Sequence, residues 1–390
     1  MGKPEDERDA YVALVKRLNE QHAPNRDYVL RRVNDFVKAR QRELALVEAA
    51  KLLSEGHVDQ SDNVLYKVLQ SGIPEEDAGL DYLHDYSNLV GNEWEGYLMP
   101  TGIKALNRLI GGYKRGQLVV TLGGPKAGKS WWLAHSAKTA LLHGLNVCHI
   151  SFEVSLEEQE TRYDMMFSCR GTRDIGEKRR FMTWDMKAKQ PKECIITIKS
   201  AYDTKAVIKA RQRITRFGGS LRIKKYPQGL GTPAEVEQYL NYLETYENWV
   251  PDVLILDYPD IMDLSQFGKE LRHQLNGAYI WCKGLADRNN FLVLAVSQVR
   301  RQAMARRWVS AADCAEDIRK AANCDIMMAI GRGPEEVRVG LAGMNVLLNR
   351  SGRQDVGCTV SLCYDIGQFC LSSWVGKDAD KAIFEAFEGL

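Results

Sequence analysis

The sequence has no C-x-x-C pair, and its nine cysteines are an odd number. Zinc sites and disulfide frameworks usually show paired cysteines at short spacings. We therefore expect small buried thiols in a reducing compartment, rather than a metal site or disulfides. These cysteines are Cys148, Cys169, Cys194, Cys282, Cys314, Cys324, Cys358, Cys363 and Cys370.

The sequence also lacks a charge excess and a long apolar run. Lys plus Arg number 53 and Asp plus Glu number 51, so any basic surface must be local rather than global. The N-terminal segment is polar, and no run approaches the roughly 20 apolar residues of a membrane span. We expect a cytoplasmic protein without a membrane partner, and 390 residues are enough for two or three domains.

Residues 1–95 are predicted to form a small all-α region. Apolar residues recur at helical spacing over residues 28–53, and Gly56 ends that stretch. A second short helix is predicted after Asp59, which is a suitable cap. No residue pattern here carries recognisable chemistry, so we interpret the region as a linker, packing or assembly module.

Residues 96–390 show short apolar runs separated by helical segments. This alternation predicts an α/β fold with a mainly parallel sheet covered on both faces. Thr232-Pro-Ala-Glu235 is typical of a helix start with a capping box. The segment 171–192 has no clear period and predicts an insertion or a mobile loop. The predicted strands are 118–122, 146–152, 221–226, 253–257, 291–297 and 325–330, followed by antiparallel edge strands at 344–349, 358–364 and 369–374.

A P-loop motif follows the first of these strands. Gly123-Gly124-Pro125-Lys126-Ala127-Gly128-Lys129-Ser130 matches G-x-x-x-x-G-K-[ST], and a helix begins at Trp131. In such a loop, backbone N–H groups surround the phosphates of ATP, and the helix N-terminus attracts the same anion. Lys129 is expected to reach the β- and γ-phosphates, and Ser130 to ligate Mg²⁺. The alternative is a glycine-rich turn without a ligand.

Three polar residues end other predicted strands, where ligands of open α/β sheets bind. Asp257 follows four apolar residues and is a candidate magnesium ligand; the alternative is a helix cap. Glu153 is a candidate general base, unless it merely caps the helix at Ser155. Gln298 is a candidate sensor of the γ-phosphate, unless its position is chance.

These motifs, in this order, resemble the motor domain of DnaB-type replicative helicases, especially the shorter bacteriophage and prophage forms. The resemblance covers about residues 101–374, and the N-terminal region resembles the family's helical collar and linker only loosely. It implies a RecA-like P-loop ATPase domain. The segments that carry it are Thr101-Gly-Ile-Lys-Ala-Leu-Asn107, Ser151-Phe-Glu153 with Ser-Leu-Glu-Glu-Gln after it, Leu256-Asp-Tyr-Pro-Asp-Ile-Met262 and Ala295-Val-Ser-Gln298.

The resemblance implies a homo-hexameric ring that moves 5′ to 3′ on single-stranded DNA, with ATP sites between subunits and a primase or loader as a partner. It assigns Glu153 as the catalytic glutamate and Asp257 as the magnesium-side aspartate. It also implies an arginine finger in a late Lys-x-Arg-like stretch, with Arg350 as first choice and Arg353 as second. Leu348 replaces the family's lysine there, and the alternative is a solvated turn. The resemblance also implies that the protein acts in a bacterial or phage-infected cell.

Basic residues after two of the strands are candidate DNA contacts. Arg300, Arg301, Arg306 and Arg307 follow Gln298 without an intervening acid. Lys269 lies in the other candidate pore loop. Arginines at such positions can bind phosphates, although charged segments are more often solvated faces. Two alternatives to a helicase remain open: a RecA-like recombination ATPase, and a KaiC-like regulatory ATPase that acts on protein partners.

Overall fold

A computed structural model of the chain describes residues 26–55, 57, 60, 61, 64, 96–314 and 319–388. The chain divides into two units, Met1–Glu95 and Gly96–Leu390. In the first unit, helix α1 spans Arg26–Ser54 and confirms the helical period of residues 28–53. The second helix expected after Asp59 lies largely outside the described residues.

The second unit alternates strands and helices. Among the described residues, no helix is both long enough and apolar enough to cross a membrane. In chain order, its elements are β1 Met99–Pro100, α2 Lys104–Ile110, β2 Gly112–Tyr113, β3 Leu118–Gly123, α3 Lys129–Leu142, β4 Val147–Ser151, α4 Leu156–Ser168, β5 Lys178–Asp185, β6 Gln190–Thr197, α5 Thr204–Thr215, β7 Leu221–Lys225, α6 Pro233–Glu247, β8 Val253–Asp257, α7 Leu271–Asn289, β9 Leu292–Gln298, α8 Arg319–Asn323, β10 Ile326–Gly331, α9 Pro334–Val339, β11 Leu341–Asn349, β12 Val356–Cys363, β13 Gln368–Trp374 and α10 Lys377–Glu388.

Nine strands form the central sheet in the order β13-β12-β11-β10-β3-β9-β8-β4-β7. The strands from β10 to β7 in that order are parallel, whereas β11, β12 and β13 pair antiparallel at one edge. This confirms the predicted mainly parallel α/β sheet with an antiparallel edge. Thr232 caps α6 and forms the predicted capping box with Glu235.

Buried apolar side chains lie on both faces of this sheet. On one face, α3 contributes Trp132 and Leu133, which pack with Tyr163 of α4. On the other face, Val236 of α6 and Leu285 of α7 pack against the sheet. Because both faces are covered, the parallel strands are apolar throughout, and this is why the sequence marks them as continuous runs.

The segment 171–192, predicted as an insertion or a mobile loop, is largely one strand of a hairpin. Strands β5 and β6 pair antiparallel, and the second strand continues past the predicted segment. Met182 packs against Trp374 and against Ile383 of α10, and Ser361 donates a hydrogen bond to the Met182 carbonyl at 2.8 Å. The many exposed lysines and arginines obscure the strand period, and the apolar partners lie about 190 residues away in sequence.

The nine cysteines are free thiols. Burial raises the pKa of the Cys148 thiol to about 12 and that of the Cys324 thiol to about 12, which keeps both thiols protonated. The buried ones are Cys148, Cys282, Cys314, Cys324, Cys358 and Cys363.

A buried ion pair supports the sheet edge at which β8 and β9 end. Lys320 of α8 is fully buried, and its Nζ donates to Asp260 at 2.8 Å and to the Ser297 hydroxyl at 3.0 Å. Ser297 and the Tyr279 phenol donate to the same carboxylate at 2.7 and 2.6 Å. The cation and the anion therefore have several polar partners in place of water.

Replacing Lys320 with methionine should strongly destabilise this unit. The substitution leaves the Asp260 carboxylate in a largely buried position without its cation, and breaking such a pair costs about 3–5 kcal/mol. Urea unfolding of the variant should show this decrease in the free energy of unfolding.

Lys381→Met is the matched control, because Lys381 is 77% exposed and forms only a 3.7 Å pair with Glu385 on α10. Its effect should stay within about 0.5 kcal/mol. Adding Asp260→Asn to Lys320→Met should recover part of the loss. Equal, small effects of Lys320→Met and Lys381→Met would contradict a stabilising role for the buried pair.

Candidate nucleotide and DNA site

The loop between β3 and α3 has the backbone of a phosphate-binding turn. Lys126 and Gly128 have positive φ angles of 61° and 106°, and α3 begins directly afterwards at Lys129. The Lys129 ammonium donates to the carbonyls of Gly123 and Gly124 at 3.0 and 3.1 Å. Burial lowers the pKa of Lys129, and the carboxylates of Glu153 and Asp257 oppose that shift.

An aromatic wall that the sequence did not predict closes the end of this loop. The Tyr364 phenol donates to the Ala127 carbonyl at 3.3 Å, and its ring stacks on Trp131 with centroids 5.6 Å apart. A Cβ atom at Gly128 would lie 1.8 Å from the Tyr364 hydroxyl, so only glycine fits here. Trp131, Tyr364 and Arg162 line a cavity of about 510 Å³. The signal was missed because Tyr364 follows a strand more than 200 residues later.

Parallel pairing brings the predicted strand ends to one edge of the sheet. Gly123 at the end of β3 pairs with Gln298 at the end of β9. Ser151 at the end of β4 pairs with Asp257 at the end of β8, and β8 pairs with β9. The P-loop that begins at Gly123 and the strand ends that carry Asp257, Gln298 and Glu153 therefore lie at one edge of the sheet.

Asp257 is a buried carboxylate next to the loop. Its side chain is 0% exposed, and neither oxygen has a hydrogen-bond partner of good geometry in the described part of the chain. Burial raises the pKa of Asp257, while the neighbouring Ser130 hydroxyl, Arg162 and Lys129 oppose this shift. Within the described residues, no cluster of three His, Cys, Asp or Glu side chains could hold a metal. A hydroxyl beside one orphaned carboxylate instead fits a divalent cation that retains water and phosphate ligands.

Glu153 is exposed just beyond the end of β4. The Ser155 hydroxyl, and not Glu153, caps α4 by accepting a hydrogen bond from the Glu158 N–H, which removes the cap as an explanation for Glu153. Burial lowers the pKa values of Lys129 and Lys225, and the Glu153 carboxylate is close enough to oppose both shifts. Burial raises the pKa of Tyr258, and Glu153 adds to that rise. Glu153 therefore belongs electrostatically to the same site.

Gln298 joins this site through a tyrosine. Its amide donates to the Tyr258 hydroxyl at 3.0 Å, and Tyr258 directly follows Asp257. Burial and Glu153 raise the pKa of Tyr258, so the phenol remains protonated. The Gln298 side chain is thus fixed at the junction between the strand end and the loop that follows β9.

The loop after β9 packs directly on the phosphate-binding turn. A Cβ atom at Gly124 would lie only 3.3 Å from the Met304 backbone, so the two segments are in close contact. Arg300 and Arg301 are exposed in this loop. Arg306 is 56% exposed and lies 3.4 Å from Asp313.

Arg307, also a predicted DNA contact, differs from the other arginines of this loop because its guanidinium already binds other side chains. Its side chain is only 15% exposed, and it pairs with Asp380 of α10 at 2.8 Å and with Glu336 at 3.7 Å. It also donates to the Thr359 hydroxyl. Asp380 accepts further bonds from Thr359 at 2.7 Å and from Trp374 at 2.8 Å. These partners are far apart in sequence, so the charge pattern alone could not distinguish Arg307 from its neighbours.

Lys269 is exposed between a short 3-10 helix, Ser265–Phe267, and α7. It lies in the connection after β8, which leaves the same sheet edge as the loop after β9. Both candidate DNA segments therefore begin at the edge that holds the phosphate-binding turn.

Arg350 and Arg353 lie at the opposite end of the strands. Ile326 of β10 pairs both with Asn349 of β11 and with Val119 of β3, so β11 ends where β3 begins. Arg350 donates to the Ala322 carbonyl and is 3.8 Å from Asp325. The full length of the strands therefore separates both arginines from the nucleotide site of their own chain.

Comparisons with known proteins agree with this geometry. The chain is 26% identical over 266 residues to a DnaB-like replicative helicase of Enterobacteria phage T4, covering 65% of this chain and 50% of that protein. The chain therefore spans about half the length of this curated relative.

Solved structures give the same fold at low identity. A solved ATPase domain matches with a TM-score of 0.55 and 15% identity, covering 80% of this chain and 98% of that one. A DnaB-like replicative helicase, described with its interactions with primase, matches with a TM-score of 0.58 and 14% identity, covering 89% and 79%. These likenesses confirm the expected RecA-like ATPase fold. The family model of the DnaB-like helicase C terminal domain matches residues 99–334, more than half of the chain, and the protein therefore belongs to that family.

Proposed function

We propose that this chain is an ATP-dependent DNA helicase motor that translocates on single-stranded DNA. The observation that carries the proposal is the convergence of Lys129, Asp257, Glu153 and Gln298 on one sheet edge, from which an exposed arginine-bearing loop also leaves. The family membership and the phage T4 relative support the same activity.

ATP occupies the loop of residues 123–130 in this proposal. The backbone N–H groups and the N-terminus of α3 bind the phosphates, and Lys129 exchanges its two carbonyl partners for phosphate oxygens. Trp131 and Tyr364 offer an aromatic wall for the nucleoside. Ser130 and Asp257 would hold Mg²⁺, which would neutralise negative charge on the phosphates when bound.

Glu153 acts as the general base of hydrolysis. Its carboxylate is exposed to water at the end of β4 and lies near the Lys129 ammonium. A carboxylate in this position accepts the proton of the attacking water while Lys129 stabilises charge on the phosphate oxygens. Gln298 responds to the γ-phosphate, and its position at the end of β9 links that response to the following loop.

Single-stranded DNA binds to Arg300 and Arg301, with Arg306 and Lys269 as further phosphate contacts. All four side chains are exposed, on segments that follow β8 and β9. Arg307 is not among them, because Asp380, Glu336 and Thr359 already bind its guanidinium. Phosphate contacts of this kind fix position without reading base sequence, as a translocating motor requires.

Arg350 acts on the nucleotide site of a neighbouring subunit, with Arg353 as the second choice. Their distance from the site of their own chain favours action in trans, which a homo-hexameric ring provides. A trans arginine contributes a factor of about 10³–10⁵ to the rate of related phosphoryl transfers.

Residues 1–95 serve as the linker and assembly region of residues 96–390 in this proposal. Translocation on the single strand runs 5′ to 3′.

A primase is the proposed protein partner, because a solved relative is described with its interactions with primase. A helicase loader is a second partner of the same kind. The phage T4 relative favours a place of action in the cytoplasm of a bacterial or phage-infected cell.

Glu153→Gln should retain ATP binding and lose hydrolysis and forked-DNA unwinding. A glutamine cannot accept the proton, and general-base catalysis contributes about 10²–10⁴-fold in rate. Phosphate release and strand separation on a fork with a single-stranded tail measure the two losses.

Glu160→Gln is the matched control, because this carboxylate is exposed on α4 outside the lining of the nucleotide cavity. Full unwinding by Glu153→Gln would refute the assigned base. A wild-type ATPase that DNA does not stimulate would favour the regulatory ATPase, and strand pairing without unwinding would favour the recombination ATPase.

Replacing Arg300 and Arg301 with glutamine should flatten the salt dependence of single-stranded DNA binding. Each lost phosphate contact changes the slope of log K against log salt by about 0.7, so the double variant should lose about 1.4. Fluorescence anisotropy of a labelled oligonucleotide over a range of salt concentrations gives the slope. The control is the double variant Lys377→Gln, Lys381→Gln, which removes the same charge from α10 and should leave the slope unchanged. If the arginine variant also keeps the wild-type slope, this loop is not part of the DNA site.

Mixing two inactive variants tests action in trans. Glu153→Gln and Arg350→Gln should each abolish most hydrolysis, whereas the mixture should recover part of it. Some interfaces then combine an intact Glu153 with an intact Arg350 from the neighbour. The same mixture with Arg353→Gln distinguishes the two arginines, and no recovery with either would argue against a trans finger.

A further inference from the structure

Five buried polar atoms without hydrogen-bond partners gather behind the candidate magnesium site. They are both carboxylate oxygens of Asp257, Nε2 of His149, Oε1 of Gln159 and Nη1 of Arg162, each unpartnered in the part of the chain that the structure describes. A buried polar atom without a partner costs about 1–3 kcal/mol. Such a group at a single place indicates that something polar completes it.

Two of these side chains, His149 and Gln159, form a connected chain with Tyr163. The Tyr163 phenol lies 2.6 Å from Nδ1 of His149, and the Gln159 amide nitrogen lies 3.3 Å from the same atom. Burial and the nearby Arg162 lower the pKa of His149 to about 3, so the ring is neutral. When the Tyr163 phenol, the nearer partner, donates to Nδ1, Nε2 of His149 carries the hydrogen. Oε1 of Gln159 is buried without a partner in the described part of the chain.

Arg162 is close to the aromatic wall and is an electrostatic neighbour of both His149 and Asp257. Its Nη2 donates to the exposed Glu158 at 2.7 Å, and its guanidinium lies 5.8 Å from the centre of the Trp131 ring. The same guanidinium opposes the rise in the pKa of Asp257. Nη2 of the guanidinium is therefore paired at the surface, while Nη1 is buried without a partner.

The unpaired donors are Nε2 of His149 and Nη1 of Arg162. The unpaired acceptors are the two carboxylate oxygens of Asp257 and Oε1 of Gln159. Water bound to a cation on Ser130 and Asp257 would donate to the acceptors and accept from the donors, which satisfies every atom of the group. A direct ion pair does not satisfy these atoms, because Nη1 of Arg162 makes no hydrogen bond to Asp257. The neutral His149 adds no second positive charge beside Mg²⁺.

We infer that Arg162, next to the Gln159, His149 and Tyr163 chain, is a positioning residue for Asp257 and for the water ligands of the magnesium ion. The inference rests on the proposed nucleotide site and extends it to residues outside the P-loop and the strand ends. Outer partners of this kind typically contribute 10–100-fold to metal affinity. Arg162 therefore acts through Asp257 and bound water, and not as a phosphate ligand.

The test is calorimetric binding of ADP to the full chain, with magnesium and with a chelator. Arg162→Gln should raise the magnesium concentration needed for half-maximal tightening of ADP binding by about 10–100-fold. ADP affinity in the chelator should fall by a clearly smaller factor than ADP affinity with magnesium. Arg162→Lys keeps the charge and should restore part of the magnesium response, and the thermal midpoint of each variant checks folding.

Glu160→Gln is the matched control, because Glu160 is exposed on the same helix, α4, outside the lining of this cavity, and its replacement should leave the magnesium response unchanged. An equal loss of ADP affinity with and without magnesium in Arg162→Gln would assign Arg162 to the nucleoside wall and overturn the inference. An unaltered magnesium response in Arg162→Gln would overturn it as well. A wild-type chain that binds no ADP in either condition would refute the nucleotide site itself, and the inference with it.

Discussion

Parallel pairing of β3, β9, β8 and β4 is the constraint on which the rest of this molecule depends. Strands that run the same way end at the same edge, so residues far apart in sequence reach one place without any direct attraction between them. Burial of both sheet faces fixes the register of these strands. The chemistry at the edge is therefore positioned by apolar packing, while the polar residues there keep unpaired atoms for a ligand.

Two charged networks stabilise this edge from different sides. Lys320 and Asp260 bind the segments that follow β8 to the end of β9, just behind Tyr258 and Gln298. Arg307 and Asp380 bind the end of the next loop to α10 and to the antiparallel strands. Each network holds one end of a segment that carries exposed basic residues. The exposed arginines thus lie on a loop with fixed ends.

The sequence was sufficient to predict the parallel sheet, its antiparallel edge and the P-loop, because each depends on a local pattern. Apolar runs, capping residues and glycine spacing act over a few residues, so the strand positions and the Thr232 cap are confirmed. Other features depend on contacts between distant segments: the packing of the β5–β6 hairpin, the position of Tyr364 beside the P-loop, and the ion pair of Arg307 with Asp380. Those contacts leave no local period, and an arginine has the same sequence signature whether it is paired or exposed.

The contact between Gly124 and Met304 has a thermodynamic consequence. Two segments in van der Waals contact share one set of allowed positions, so a ligand that orders the turn also restricts the adjoining loop. Linkage then requires the reverse, because a coupling free energy between two binding equilibria is the same in both directions. Whatever orders the loop must change the affinity of the turn for its anion by the same factor, without a shared ligand atom or any covalent connection beyond the backbone.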